Sequence, residues 1–286
     1  MAIFTPGSSG GLTIAPSFSQ SGRCVPPTGC FRPGVGHSAT PSPPSVGARS
    51  GTGGSPDGTC LSPGRKTVTT SAPPPRRLLG AIFDFDGTVA DTLRLVISSF
   101  QEAVASVGGP ILTDREVYAY FGPTEAGMLR LAVGDRWQQA YRTYLHAYER
   151  DHAPFDNLFQ GIPEIIGMLR ARGIRVGLVT GKGRDSALIS VARTGLDAWL
   201  DAFETGSDEG LAKAAGIGRV LASWGVDPAD AAYVGDTPDD MRSAVEAGVV
   251  ALGAAWARTS SVVPGPQWTV VPTVADLARI LDAATA

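Results

Sequence analysis

The chain has 286 residues, 43% of them hydrophobic and 18% charged, with a formal net charge of -3. That length can bury one large core or two smaller ones. The near-balanced charge argues against a general polyanion-binding surface, so nucleic acid is not an expected partner. No run approaches the ~18 apolar residues of a membrane span, so no membrane partner is expected either.

The first 77 residues hold segments such as "PGSSGG", "PSPPSVG", "GTGGSPDG" and "SAPPPRR". No apolar period of 2 or 3.6 persists there, so burial cannot offset the entropy of ordering. Residues 1–77 are therefore expected to be a disordered tail, or an artefact of an upstream start assignment. The segment is basic and acid-poor, but it lacks the amphipathic helix of a transit peptide and the apolar region of a secretory signal. All three cysteines (Cys24, Cys30 and Cys60) fall within it. The remainder thus has no disulfide framework, which fits a reducing, cytoplasmic setting.

From Leu78 onward, strand and helix patterns alternate. "LLGAIFDF" (78–85) reads as a buried strand, "IRVGLVTG" (174–181) as a second and "AFETG" (202–206) as a third. "AAYVGD" (231–236) and "GVVALGAAW" (248–256) follow as the fourth and fifth. Helical patterns cover Glu164–Arg172, Asp185–Arg193, Ile217–Trp224, Pro238–Ala247 and Val274–Ala284. This alternation predicts an α/β fold: a Rossmann-like parallel sheet with helices on both faces, built from residues 78–94 and 160–286. Residues 95–159, including "SSFQEAVASV" and "WQQAYRTYLHAYER", show helical spacing without a strand. They are expected to form an inserted helical cap above the carboxyl edge of the sheet, where open α/β folds bind ligands.

Candidate chemistry gathers at the predicted strand ends. Asp84 and Asp86 in "DFDGT" share one side of the chain, and Gly87 permits a turn after them. Two carboxylates so close invite a divalent cation, and an oxygen-rich site suits Mg2+. The alternative is an Asx-type turn with solvated acids. In "VTGKG", the Thr180 hydroxyl and the amides around Gly181 and Gly183 can hold phosphate oxygens, or Thr180 can be a helix cap. "VGDTPDD" supplies Asp236, Asp239 and Asp240, readable as metal ligands or as helix-start acids. Lys213 stands alone in "GLAKAAGI". The order D-x-D, Thr, Lys, GD-x-x-x-D is more specific than any of its parts.

In that order the sequence resembles the haloacid dehalogenase superfamily, in the helical-cap subfamily and phosphoglycolate-phosphatase-like, over roughly residues 78 to 284. "DFDGTVADT", "VTGK", Lys213 and "GDTPDD" match its four motifs. Many relatives follow the lysine with K-P-x-P, whereas here it is followed by Ala214-Ala215-Gly216. The resemblance implies a Mg2+-dependent phosphatase acting on a small phosphorylated metabolite, such as a phosphoglycolate-like compound or a sugar or nucleotide monophosphate. Asp84 would be the nucleophile, forming an aspartyl-phosphate, and Asp86 the general acid and base. Mg2+ would be held by Asp84, the Asp86 main-chain carbonyl and Asp236. Thr180, Gly181 and Lys213 would hold the transferring group, with Asp240 orienting the metal site or the lysine. Asp91 matches an element near the hinge into the cap and is given no catalytic part. Dehalogenases lack the second aspartate, so Asp86 favours phosphate transfer. A sugar phosphomutase or a non-catalytic phospholigand-binding protein are the alternatives.

Within the cap, "YFGPTEAGML" places Gly122, Pro123, Thr124 and Glu125 either in a specificity loop or at a helix start capped by Thr124. Arg130, Arg136, Arg142 and Arg150 read as a solvated face. Trp137, Tyr141, Tyr144 and Tyr148 read as helix packing, and His146 and His152 show no metal-ligand pattern. Lys182 and Arg184 are the better substrate-contact candidates.

Overall fold

A parallel six-stranded sheet organises the molecule, in the order β3-β2-β1-β4-β5-β6. The strands are β1 (Gly80–Phe83), β2 (Arg175–Val179), β3 (Ala202–Glu204), β4 (Ala231–Gly235), β5 (Val250–Ala254) and β6 (Thr269–Val271). This is a computed structural model, and it describes residues 77–210 and 212–285. The expectation of a disordered tail, and all three cysteines, lie outside the described residues apart from Arg77.

Register places the central strands level. Phe83 pairs with Leu178 on one side and with Val234 on the other. The chain therefore leaves β1, β2 and β4 at one edge, and delivers Asp84, Thr180 and Asp236 there. The five anticipated strands are present and shorter than their apolar runs, because the ladder stops where the chain turns to form that edge. The sixth, β6, was not anticipated: it is a three-residue "TVV" with no apolar run around it.

Among the described residues, helices lie between and after the strands. They are α1 (Leu93–Ser106), α2 (Asp114–Tyr118), α3 (Glu125–Val133), α4 (Trp137–Arg150), α5 (Ile162–Ala171), α6 (Arg184–Thr194), α7 (Lys213–Trp224), α8 (Pro238–Glu246) and α9 (Val274–Ala284). Alternation along the strands divides the core. Ala81, Phe83, Val176, Leu178 and Val234 face α5, α6 and α9, through Ile166, Leu169, Val191, Leu277 and Leu281. Ile82, Val179 and Tyr233 face α7 and α8, through Ile217, Val220, Leu221 and Met241. Two strand glycines make room for Trp224 of α7. A Cβ on Gly80 or on Gly177 would come within 2.8 Å of its ring.

Among the described residues, the chain from α1 to α4 contains no strand and has an apolar core of its own, around Phe100, Leu129 and Tyr144. It leaves and rejoins the sheet at adjacent points: Ala90 bridges Leu158, and Phe159 N–H donates to the Val89 carbonyl at 2.8 Å.

Candidate active site at the carboxyl edge of the sheet

A tight turn follows β1. The amides of Thr88, Val89 and Ala90 all donate to the Phe85 carbonyl, and Gly87 N–H donates to the Ala90 carbonyl at 2.8 Å. Gly87 has φ +74°, and a Cβ there would run into the Asp236 carboxylate. Only glycine lets the turn press this closely on β4's terminal acid. The turn aims Asp84 and Asp86 differently. Asp84 is buried, and its N–H donates to the Val234 carbonyl of β4 at 2.9 Å. Asp86 accepts a 2.5 Å hydrogen bond from Thr92 Oγ1 and lies 3.5 Å from Lys182 Nζ.

Lys213 is the first residue of α7 and links two acids. Its Nζ donates to Asp84 Oδ2 at 2.8 Å and to Asp240 Oδ1 at 2.5 Å. Tyr233 OH also donates to Asp240 Oδ1, at 3.1 Å. Asp240 Oδ2 takes the Thr237 amide at 3.0 Å and its hydroxyl at 2.6 Å, closing a capping box at the start of α8. The Ala-Ala-Gly sequence after Lys213 thus leaves its charge engaged at the sheet edge.

Asp84, Asp236 and Asp240 form a buried cluster in which one oxygen from each lies within 4.8 Å of the others. Asp240 is already committed on both oxygens. Asp84 Oδ1, by contrast, is buried without a hydrogen-bond partner. Burial, opposed by the Lys213 ammonium and assisted by Asp240, pushes the Asp84 carboxyl up to about 6. Burial, then Asp84 and Asp240, push Asp236 up to about 8. Burial works against ionising Asp240, but Lys213 and the Thr237 hydrogen bonds outweigh it and hold its carboxyl below the ordinary range. Burial and mutual repulsion thus oppose ionising Asp84 and Asp236 together, and the pair, with one Asp84 oxygen left unpartnered, fits a hard, oxygen-seeking divalent cation. The Asp86 carboxylate stands outside this cluster, turned to Thr92 and Lys182. Its expected contribution to a metal would have to come from its main chain.

A cavity of about 550 Å³ opens onto these groups. Thr180, Gly181, Lys182 and Lys213 line it beside Asp84, Asp86 and Asp236. Thr180 is buried and accepts a hydrogen bond from Lys182 N–H at 3.3 Å. The helical segment closes the other side with Phe121, Gly122 and Pro123.

The "FGPTE" stretch both starts α3 and lines the cavity with Gly122, Pro123 and Glu125. Thr124 caps α3 by accepting from Gly127 N–H. Glu125 is buried and reaches across to the turn after β2. It accepts from Gly183 N–H at 2.6 Å, Ser186 Oγ at 2.7 Å and Tyr144 OH at 3.3 Å. Lys182 Nζ lies 3.6 Å from Glu125 and 4.4 Å from the centre of the Tyr148 ring. Arg184 is exposed and does not line the cavity.

Sequence reasoning missed Glu125 as a docking group and His152 as a buried one. The His152 ring sits 2.8 Å from Asp156 Oδ1 and 3.2 Å from Ser190 Oγ, and Ser190 Oγ is 2.8 Å from Tyr148 OH. The partners on α6 are far away in sequence, so only the lone acid at i+4 was available as a signal. The tyrosines do pack as a ladder, with Tyr141, Tyr144 and Tyr148 stacked in succession.

A sequence profile described as "Haloacid dehalogenase-like hydrolase" matches residues 81–254. A phosphoglycolate phosphatase of Synechococcus elongatus is 28% identical over 202 residues, spanning 68% of this chain and 93% of that protein. The pyrophosphatase PpaX of Bacillus pumilus is 29% identical, spanning 61% of this chain and 82% of its own length. The crystal structure of CbbY from Rhodobacter sphaeroides in complex with phosphate superposes with a TM-score of 0.60 at 23% identity, over 72% of this chain and 99% of that one. It carries the same fold. Among the described residues, no helix is long and apolar enough to cross a membrane.

Proposed function

Because the chain belongs to the haloacid dehalogenase-like hydrolase family and is an enzyme of its phosphatase type, we propose that it hydrolyses a small phosphate monoester through a covalent phosphoenzyme, with Mg2+ as cofactor, in the cytoplasm. One observation carries this reading: Asp84, which has a buried oxygen without a partner, clusters with Asp236, while Asp86 stands two residues on with its own hydrogen-bond donor.

In this reading a carboxylate oxygen of Asp84 attacks phosphorus as the ester P–O bond breaks. Asp86 gives its proton to the departing alkoxide, then takes one from the water that cleaves the acyl phosphate and regenerates Asp84. Thr92 holds the Asp86 carboxyl towards the cavity. Lys213, with Thr180 and Gly181, holds the oxygens of the transferring group, and Asp240 fixes Lys213. Asp84, Asp236 and the Asp86 main-chain carbonyl would hold Mg2+, which when bound neutralises the carboxylates and the phosphoryl oxygens together. The helical segment, residues 95–159, serves as the cap over a core of 78–94 and 160–286.

The test is phosphate release from a panel of phosphate monoesters, with and without Mg2+. Release that vanishes in EDTA and returns with Mg2+ is expected. Full activity in excess EDTA would exclude the mechanism.

A further inference from the structure

The charges and apolar groups lining the cavity are separated. Five acids line it (Asp84, Asp86, Glu125, Asp236 and Asp239) against two lysines, and no arginine is among the lining residues. Each lysine already faces two acids. Lys213 is bonded to Asp84 and Asp240. Lys182 Nζ is buried without a hydrogen-bond partner, but Asp86 at 3.5 Å and Glu125 at 3.6 Å already balance its charge. Arg130, the nearby cation of α3, is paired with Asp208 at 2.8 Å and does not line the cavity. A divalent cation would be matched by the transferring phosphoryl group itself. Any further carboxylate or phosphate on the substrate would then meet an excess of acids.

Apart from Glu125, the helical side of the cavity is apolar. Leu93, Val96, Tyr118, Phe121, Pro123 and Met128 form it. Tyr118 and Phe121 are a tilted aromatic pair, 5.2 Å between ring centres, at the rim, where they are 45% and 38% exposed. Large apolar side chains left open to solvent at a cavity mouth gain most when a ligand covers them. Thr259 and Ser261 also line the cavity with neutral hydroxyls, and that of Thr259 is buried without a partner.

We propose that the substrate is a phosphate monoester whose leaving alcohol is uncharged and carries an apolar chain or ring, seated on the wall formed by Leu93, Val96, Tyr118, Phe121, Pro123 and Met128. This rests on the phosphatase reading above and narrows it. The ester P–O bond breaks as proposed there, and the products are inorganic phosphate and a neutral alcohol. Substrates bearing a second anionic group, such as 2-phosphoglycolate or inorganic pyrophosphate, are disfavoured.

The experiment compares n-hexyl phosphate, ethyl phosphate and 6-phosphooxyhexanoate in Mg2+, with acetyl phosphate as a small activated probe and 2-phosphoglycolate alongside. The first three leaving alcohols are similarly acidic, so the chemical step largely cancels between them. The expected kcat/KM for hexyl phosphate exceeds that for ethyl phosphate by roughly tenfold or more, since each buried methylene discriminates. It should exceed that for the carboxylate ester by about tenfold as well, through like-charge exclusion. Phe121→Arg should raise the ratio of carboxylate ester to hexyl ester by about tenfold. Tyr118→Arg should move it the same way, and the ratio remains readable where either variant loses only part of its activity. Turnover of acetyl phosphate with hexyl no better than ethyl, or with 2-phosphoglycolate or the carboxylate ester preferred, would overturn the substrate assignment and leave the phosphatase reading intact. No Mg2+-dependent release from any probe, acetyl phosphate included, would overturn both.

Discussion

The sheet edge and the helical segment facing it are built on opposite principles. At the edge nearly every side chain is charged and tied to another: Asp84 to Lys213, Lys213 to Asp240, Asp240 to Thr237 and Tyr233, Asp86 to Thr92. Across the cavity, the segment offers mostly rings and aliphatic chains, and it meets the core through Glu125, which bonds Gly183 and Ser186, and through Tyr148 and His152, which bond Ser190. Chemistry that does not vary between substrates belongs on a rigid, cross-bonded edge. Recognition that does vary belongs on a separate surface with its own core, where a side chain can change without disturbing the reacting groups.

If that division is right, substitutions at the edge should cost turnover and those across the cavity should cost selectivity or docking. The largest effect is expected at Asp84. Asp84→Asn keeps the shape but is a very poor nucleophile, so turnover should fall to background for every ester, checked by phosphate release with the variant's folding verified by circular dichroism.

Asp86→Asn should cost on the order of 10²–10⁴-fold with an alkyl ester, the usual worth of general acid–base catalysis. The loss should shrink with p-nitrophenyl phosphate, whose leaving group hardly needs a proton. An equal loss on both esters would remove Asp86 from proton transfer.

Asp236→Asn separates charge from shape. The Asp236 carboxyl is raised to about 8 by burial and by its neighbouring acids. Between the unfolded value near ~4 and that folded value, the folded state keeps a proton that the unfolded chain has lost. Its contribution to stability therefore falls as pH rises through this window. In EDTA, Asp236→Asn should gain on the wild type in thermal stability from pH 5 to pH 8. Mg2+ should raise the wild-type melting temperature more at pH 8 than at pH 5, and should do little for the variant. A Mg2+ effect that is unchanged in Asp236→Asn would place the cation elsewhere.

The smallest of these effects is expected across the cavity. Glu125→Gln removes a charged acceptor from Gly183 N–H and Ser186 Oγ and leaves Lys182 with one fewer acid. Denaturant unfolding should show a loss of roughly 1–3 kcal/mol, the range for a buried hydrogen-bonded group losing its partner.

The sequence carried the edge well and the facing segment poorly, for a physical reason. β1, β2 and β4 are buried on both faces, so they appear as apolar runs, and the acids and threonine ending those runs were readable as one edge. Asp240 already carried its helix-capping signal in Thr237. Its hold on Lys213, a contact across 27 positions, was expected only through the family resemblance, as one of two roles, because no local spacing signals it. Glu125 looked like an ordinary first-turn acid because the groups it satisfies lie 58 and 61 positions away. β6 escaped because three residues at a sheet edge need no long apolar run. The boundaries of residues 95–159 as a separate unit remain a proposal, resting on the adjacent crossings at Ala90 and Leu158.

The central claim is that Asp84, and not its neighbour two residues on, carries the phosphoryl group. Rapid acid quench during turnover, peptide digestion and mass spectrometry would locate the added phosphate directly. The account predicts it on Asp84, with Asp86→Asn accumulating more of it because the water has lost its base, and with none formed by Asp84→Asn. Phosphate found on Asp86, or substantial turnover retained by Asp84→Asn, would contradict it.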